Sequence, residues 1–225
     1  MVAREEDGVL VKSPYKKQEF TDDQLQEFVK CADPETGPEY FLRNFFYIQH
    51  PIQGKMKYDP WEFQERLIST YHNYRFSISM MPWQTGKSTS AAGYLLWYAM
   101  FKPDSTILVA AHKYAGAQEI MQRVRYSYEA CPDHIRAGAT SYNKGSIEFD
   151  NGSRIVAQTT TENTGRGMSI TLLYCDEFAF VRPTIAREFW TSISPTLSTG
   201  GGAIITSTPN SDEDQFAFIW KGANK

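Results

Sequence analysis

Residues Ser77–Ser90 read SISMMPWQTGKSTS, and the fold class follows from them. Phe76 to Met81 form a short apolar strand, a turn follows, and Gly86-Lys87-Ser88 open a helix rich in alanine, leucine and aromatics. A helix start presents unpaired backbone N–H groups and the positive end of the helix dipole, so it favours an anion. Gly86 lets the backbone approach a phosphate closely. Lys87 reaches the β- and γ-phosphates, and the Ser88 hydroxyl suits Mg²⁺. The spacing is that of a P-loop with one departure: Met81 stands where G-x-x-x-x-G-K-[ST] begins with glycine. A Gly-Lys-Ser turn without a ligand fits the same residues, so context has to choose.

Thr171–Phe180, TLLYCDEFAF, supplies that context. Leu172 to Cys175 suit a strand buried on both faces of a parallel sheet. Asp176-Glu177 then falls at the strand's C-terminal end, where open α/β sheets place their ligands. Two adjacent carboxylates there divide the work: the first holds Mg²⁺ and its waters, and the second orients and deprotonates the attacking water. A solvated acidic turn is the plainer alternative. Both motifs together, in this order, favour an ATPase.

The bulk properties set bounds. At 225 residues the chain can bury a sizeable core. A hydrophobic fraction of 41% with 14% aromatics excludes a disordered tail. A net charge of −3 excludes a uniformly basic nucleic-acid-binding surface and makes any DNA contact local. Cys31, Cys131 and Cys175 are widely spaced, without C-x-x-C, which points to reduced cytosolic thiols. There is no signal peptide and no apolar run of membrane-spanning length, so a soluble chain is expected.

Residues 1–20 are charged and without pattern, and a loosely held arm is expected. Thr21-Asp22-Asp23-Gln24 reads as a capping box opening a helix with Leu25, Phe28, Val29 and Ala32 on one face, ended by Asp33-Pro34. Tyr40–His50 fits a helix or a strand. Pro51–Asp59 reads as a loop and as the boundary between an appendage (1–57) and a nucleotide-binding core (58–225). Asp59-Pro60-Trp61-Glu62 starts a further helix with Asp59 as its cap, and Phe63, Leu67, Ile68 and Tyr71 bury one face. Gln64 beside that face has the donor and acceptor to pair with an adenine edge, although from these residues alone an ordinary exposed helical glutamine is the favoured reading.

Downstream, Ser105–Ala111 is a buried strand, followed by a helix from about Ala115 to Ala130. This alternation argues for a parallel α/β sheet. Asp150-Asn151-Gly152 between two alternating runs signals a hairpin. Thr160–Gly167 is a polar loop in which glycines flank Arg166, ten residues before Asp176. It reads either as a mobile arginine finger or as a surface arginine. Ala203–Ser207 is another strand, and the hydroxyls of Thr206, Ser207 and Thr208 at its end suit a γ-phosphate or the carboxylate that handles water.

The ordered series Phe63-Gln64, Gln84-Thr85-Gly86-Lys87-Ser88-Thr89, Leu108–Lys113, Asn143–Glu148 with Asp150–Ser153, Tyr174–Phe180 and Thr206–Asn210 resembles the large terminase subunit of tailed bacteriophages. The resemblance covers roughly residues 45–220. It implies a three-layer RecA-like ATPase domain of a genome-packaging motor, with a nuclease domain expected to be absent because the chain stops 48 residues after Glu177. That family also lacks the first P-loop glycine. The strand order it implies puts Ala203–Ser207 between the P-loop strand and the strand of Asp176.

The resemblance further implies ATP and Mg²⁺ as ligands. Carried over by position, Gln64, Gln84, Thr85, Gly86, Lys87, Ser88 and Thr89 bind the nucleotide, and Ser88 and Asp176 the metal. Glu177 is the catalytic base, and Ser207-Thr208 couples hydrolysis to movement. Trp83 stands where many relatives carry an arginine, so Arg166 from a neighbouring subunit is the expected finger. The implied partners are double-stranded DNA, the procapsid portal and the small terminase subunit, in a ring on the portal but a monomer in isolation. The implied place is the host cytoplasm, at the portal vertex, with no membrane. A helicase-like translocase is the alternative, although the chain has neither helicase motifs nor a second RecA-like half.

Overall fold

In the computed structural model, which describes residues 4–5 and 8–223, the apolar stretches leading into the two nucleotide motifs join one sheet. In chain order the elements are β1 (Arg4–Glu5), β2 (Gly8–Val9), α1 (Asp22–Ala32), α2 (Gly37–Phe45), β3 (Tyr47–His50), β4 (Gly54–Lys57), α3 (Glu62–Asn73) and β5 (Phe76–Met80). They continue with α4 (Lys87–Phe101), β6 (Thr106–Ala111), α5 (Tyr114–Ala130), β7 (Ala139–Tyr142), β8 (Ser146–Phe149) and β9 (Arg154–Thr159). The last are β10 (Leu172–Asp176), α6 (Pro183–Ile193), β11 (Gly202–Ser207) and α7 (Gln215–Ala223).

The central sheet runs β5-β11-β10-β6-β9-β8-β7. β5, β11, β10, β6 and β9 are parallel, while β8 and β7 add an antiparallel edge through the hairpin at Asp150-Asn151-Gly152. β11 thus lies between the P-loop strand and the strand of the acidic pair, in the order that the resemblance implies. All five residues of β10 are buried, so its two faces serve two cores. Ile107, Val109, Leu172, Tyr174 and Ile204 pack under α1 to α5. Leu108, Leu173, Cys175, Ala203 and Ile205 pack against Phe189 and Ile193 of α6 and Phe216 of α7. Three layers result. Helix α4 is apolar around nearly its whole circumference because α2, α3 and α5 all contact it on top of the sheet.

Several local expectations need correction. The capping box at Thr21 and Gln24 is present, but Leu25, Phe28 and Val29 are 48%, 41% and 66% exposed. Spacing shows which residues share a helix face, not whether anything covers it. The buried anchor of α1 is Cys31, whose carbonyl accepts the Trp97 indole N–H at 2.7 Å. Asp59 does not cap α3. That helix starts after Trp61, whose N–H is bonded by the Gln64 side chain at 3.0 Å, and Phe63 stays exposed. The stretch read as a loop contains β4, which pairs with β3, and Tyr40–His50 divides into the end of α2 and β3.

The expected loose arm is tied down from Leu10 onward. Val11 is buried, the Lys12 ammonium donates to the carbonyls of Asp133 (2.7 Å) and Arg136 (2.9 Å), and the Tyr15 N–H donates to Asp150 (2.9 Å). Residues 1–3, 6 and 7 of that arm lie outside the described residues. The three cysteines are buried free thiols, and burial pushes the Cys31 thiol up to about 12.

Candidate functional site

The parallel register puts Met80, Ser207, Asp176 and Ala111 at one edge of the sheet. The Met81 N–H extends the β5–β11 ladder to Ser207 O at 3.0 Å, and the chain then turns through Pro82–Thr85 into α4. Gly86 is left-handed (φ 75°), and a Cβ there would meet Gln64 Nε2 at 2.5 Å, so any other residue would be strained and would displace the Gln64 amide. Gln84 shares that left-handed region (φ 60°) without being glycine. The Thr85 hydroxyl donates to Pro82 O at 3.0 Å and closes the turn. Thr89 lines a cleft toward Tyr47 and Tyr126.

Gln64 is buried, not exposed, and reaches the loop directly. Its Oε1 accepts the Trp61 N–H and its Nε2 donates to Thr85 O at 2.9 Å, which braces the P-loop against the start of α3. One Oε1 lone pair and one Nε2 hydrogen remain for another partner.

Asp176 is buried at the strand end. Its Oδ1 accepts from Ser88 Oγ (3.1 Å), the Tyr174 hydroxyl (2.9 Å) and Thr206 Oγ1 (3.2 Å). Burial pushes its carboxyl above the usual range; the Tyr174 hydrogen bond opposes this, and the neighbouring Glu177 charge adds to it. Tyr174 reads in sequence only as an apolar strand residue. The signal for its role is period two: it shares a sheet face with Asp176, and a buried tyrosine hydroxyl needs a partner.

Glu177 adopts left-handed backbone (φ 51°). Its Oε1 pairs with the Lys87 ammonium at 2.6 Å, and its Oε2 accepts from Thr208 N (3.2 Å) and Thr208 Oγ1 (3.0 Å). Burial acts to raise this carboxyl, but Lys87 and Thr208 outweigh it and hold Glu177 below the usual carboxylate range. Ser207 Oγ accepts the Ala179 N–H at 3.1 Å and lies 3.5 Å from Glu177 Oε2. The Ser207 and Thr208 hydroxyls thus face Glu177, and that of Thr206 faces Asp176.

The structure therefore brings together Gln64, Thr85, Gly86, Lys87, Ser88, Asp176, Glu177, Ser207 and Thr208. Arg166 stands apart: it is exposed, and its guanidinium donates to Asn163 Oδ1 at 2.9 Å. The loop before it is hydrogen-bonded and packed as far as Gly165, whereas the space around Gly167 is open. Thr164 is buried and hydrogen-bonded to Thr159 O and Thr161, and a Cβ on Gly165 would collide with Ile193.

Ser88 Oγ beside Asp176 Oδ1 offers two hard oxygens, which fits Mg²⁺; that ion takes few protein ligands and keeps waters and substrate phosphates.

A family model described as "Terminase large subunit, T4likevirus-type, N-terminal" matches residues 78–225. Among solved structures, the large terminase of bacteriophage HK97 aligns with a TM-score of 0.68 at 19% identity, over 82% of this chain and 40% of that one. The large terminase ATPase domain of Thermus phage P74-26 aligns at 0.57 and 20% identity, over 72% of this chain and 69% of that one. The large terminase of the thermophilic bacteriophage D6E in complex with ADP aligns at 0.51 and 11% identity, over 67% of this chain and 39% of that one. At these identities the structural likeness concerns the fold, and the chain spans less than half of the HK97 and D6E proteins.

Proposed function

Because the chain belongs to the family of T4likevirus-type terminase large subunits, within their N-terminal ATPase part, we propose that it hydrolyses Mg-ATP between Lys87-Ser88 and Asp176-Glu177 to drive double-stranded DNA into a procapsid. One observation carries the site assignment: the Lys87–Glu177 ion pair at 2.6 Å, which joins the P-loop to the acidic strand end. The α4 N-terminus and the Gly86 turn form an anion cradle, and Lys87 is the cation that a β/γ-phosphate would draw off Glu177. Glu177 Oε1 then becomes a free acceptor facing the phosphate, while Oε2 stays bonded to Thr208. A carboxylate held by one oxygen with the other free is arranged to orient a water and accept its proton. Ser88 and Asp176 would hold Mg²⁺, whose charge offsets that developing on the phosphates.

The reading extends to double-stranded DNA, the portal and the small terminase subunit as partners, and to the portal vertex in the host cytoplasm as the place of action. Among the described residues no helix is long and apolar enough to cross a membrane. Lys87→Ala tests the pocket: losing a charge-assisted contact to phosphate should weaken ATP binding by ~10–100-fold and stop turnover. ATP binding unchanged in that variant, by calorimetry, would put the nucleotide elsewhere. Steady-state ATPase assays with and without DNA and portal-bearing procapsids then separate a packaging motor from an ATPase indifferent to both.

Gln64 both braces the loop and, with its remaining donor and acceptor, pairs with adenine. Gln64→Ala should weaken ATP binding by about 1–3 kcal/mol and GTP binding by less. Equal losses for the two nucleotides would leave Gln64 with the brace alone.

A further inference from the structure

Trp83 is out of place by ordinary packing rules. It lies in the turn of the P-loop and is 71% exposed, yet its indole N–H reaches across to Thr208 Oγ1 at 2.9 Å. Thr208 is buried. An indole nitrogen only donates, whereas a threonine hydroxyl has one proton and two lone pairs. With Trp83 donating to it, Thr208 must spend its proton on the acceptor 3.0 Å away, Glu177 Oε2. The backbone N–H of Thr208 is aimed at that same oxygen at 3.2 Å. Indole, hydroxyl and carboxylate thus form a chain in which each bond fixes the direction of the next.

We infer that Trp83 is a positioning residue for hydrolysis, acting through Thr208 to hold the Glu177 carboxylate in register. This rests on the proposed ATPase reading. Its importance grows when phosphate takes Lys87, because Thr208, with two donors at 3.0 and 3.2 Å against the 3.5 Å contact from Ser207, is then the main anchor of a carboxylate on a left-handed backbone. The P-loop turn also becomes sensitive to the far side of the site: a shift of Trp83 on nucleotide binding alters the hydrogen bond on Oε2. Without the indole, the Thr208 hydroxyl is free to rotate toward solvent.

The test uses the full chain with Trp83→Phe, Thr208→Val and the double variant, each checked for folding by thermal melting. Trp83→Phe should lower single-turnover hydrolysis about tenfold, the rate equivalent of one hydrogen bond, while leaving ATP affinity within about twofold. The double variant should be no slower than Thr208→Val alone, because both changes act through one hydroxyl. Losses that multiply, or a weaker ATP affinity with an unchanged rate, overturn the inference. A second readout needs no turnover. The indole N–H signal missing from the ¹H–¹⁵N spectrum of Trp83→Phe identifies Trp83 in the wild type, and that signal should move in Thr208→Val. An unmoved signal overturns the contact itself. A wild-type chain without ATPase activity whose indole signal does move would instead sink the ATPase reading.

Discussion

Mixing inactive Lys87→Ala subunits with inactive Arg166→Ala subunits should restore ATP hydrolysis that neither shows alone. Beyond Lys87 and the metal, an arginine finger stabilises the charge developing on a transferred phosphoryl group and contributes ~10³–10⁵ in rate. The donors to Asp176 and Glu177 among the described residues are Lys87, Ser88, Tyr174, Thr206, Ser207 and Thr208, with no arginine among them. Trp83 carries no charge to offer. Arg166 is exposed, bonded among the described residues only to Asn163 in its own loop, and set on a turn that Gly165 seats against Leu108, Ile170 and Ile193. An exposed arginine on a loop anchored at Gly165 can reach a neighbour's pocket. The isolated chain should therefore be a slow ATPase whose specific activity rises with protein concentration or on binding a portal ring. Arg166→Ala should flatten that rise without weakening ATP binding by the monomer. No rescue in the mixture, where wild-type subunits demonstrably associate, would leave Arg166 a loop arginine.

The parts of this site that sequence exposes are those with a local signature. Gly86-Lys87-Ser88 follows an apolar run and opens a helix, and Asp176-Glu177 ends an apolar run; each signal is contained in a few consecutive residues. The buried parallel strands were legible for the same reason, because burial on two faces leaves continuous apolar runs. What stayed hidden depends on partners distant in sequence. The brace from Gln64 to Thr85 spans 21 residues and the Trp83–Thr208 bond 125, and no periodicity encodes either. The left-handed backbones at Gln84 and Glu177 were invisible because neither residue is glycine or asparagine, the types that advertise that conformation. The exposed face of α1 is a further case: its spacing shows that Leu25, Phe28 and Val29 share a face and does not encode whether anything covers it.

The Lys87–Glu177 pair also sets how the central assignment is best tested. Glu177→Gln keeps the side chain's shape and its capacity to accept from Thr208 but removes both the base and the charge that competes for Lys87. ATP should consequently bind at least as tightly as in the wild type. Hydrolysis should fall by ~10²–10⁴, the usual contribution of a positioned general base. The direct measurement is single-turnover hydrolysis beside ATP affinity for Glu177→Gln and wild type, under the same assembly conditions. Intact binding with that loss of rate is the predicted result; a rate within a factor of about three of wild type would contradict the assignment of Glu177 as the base.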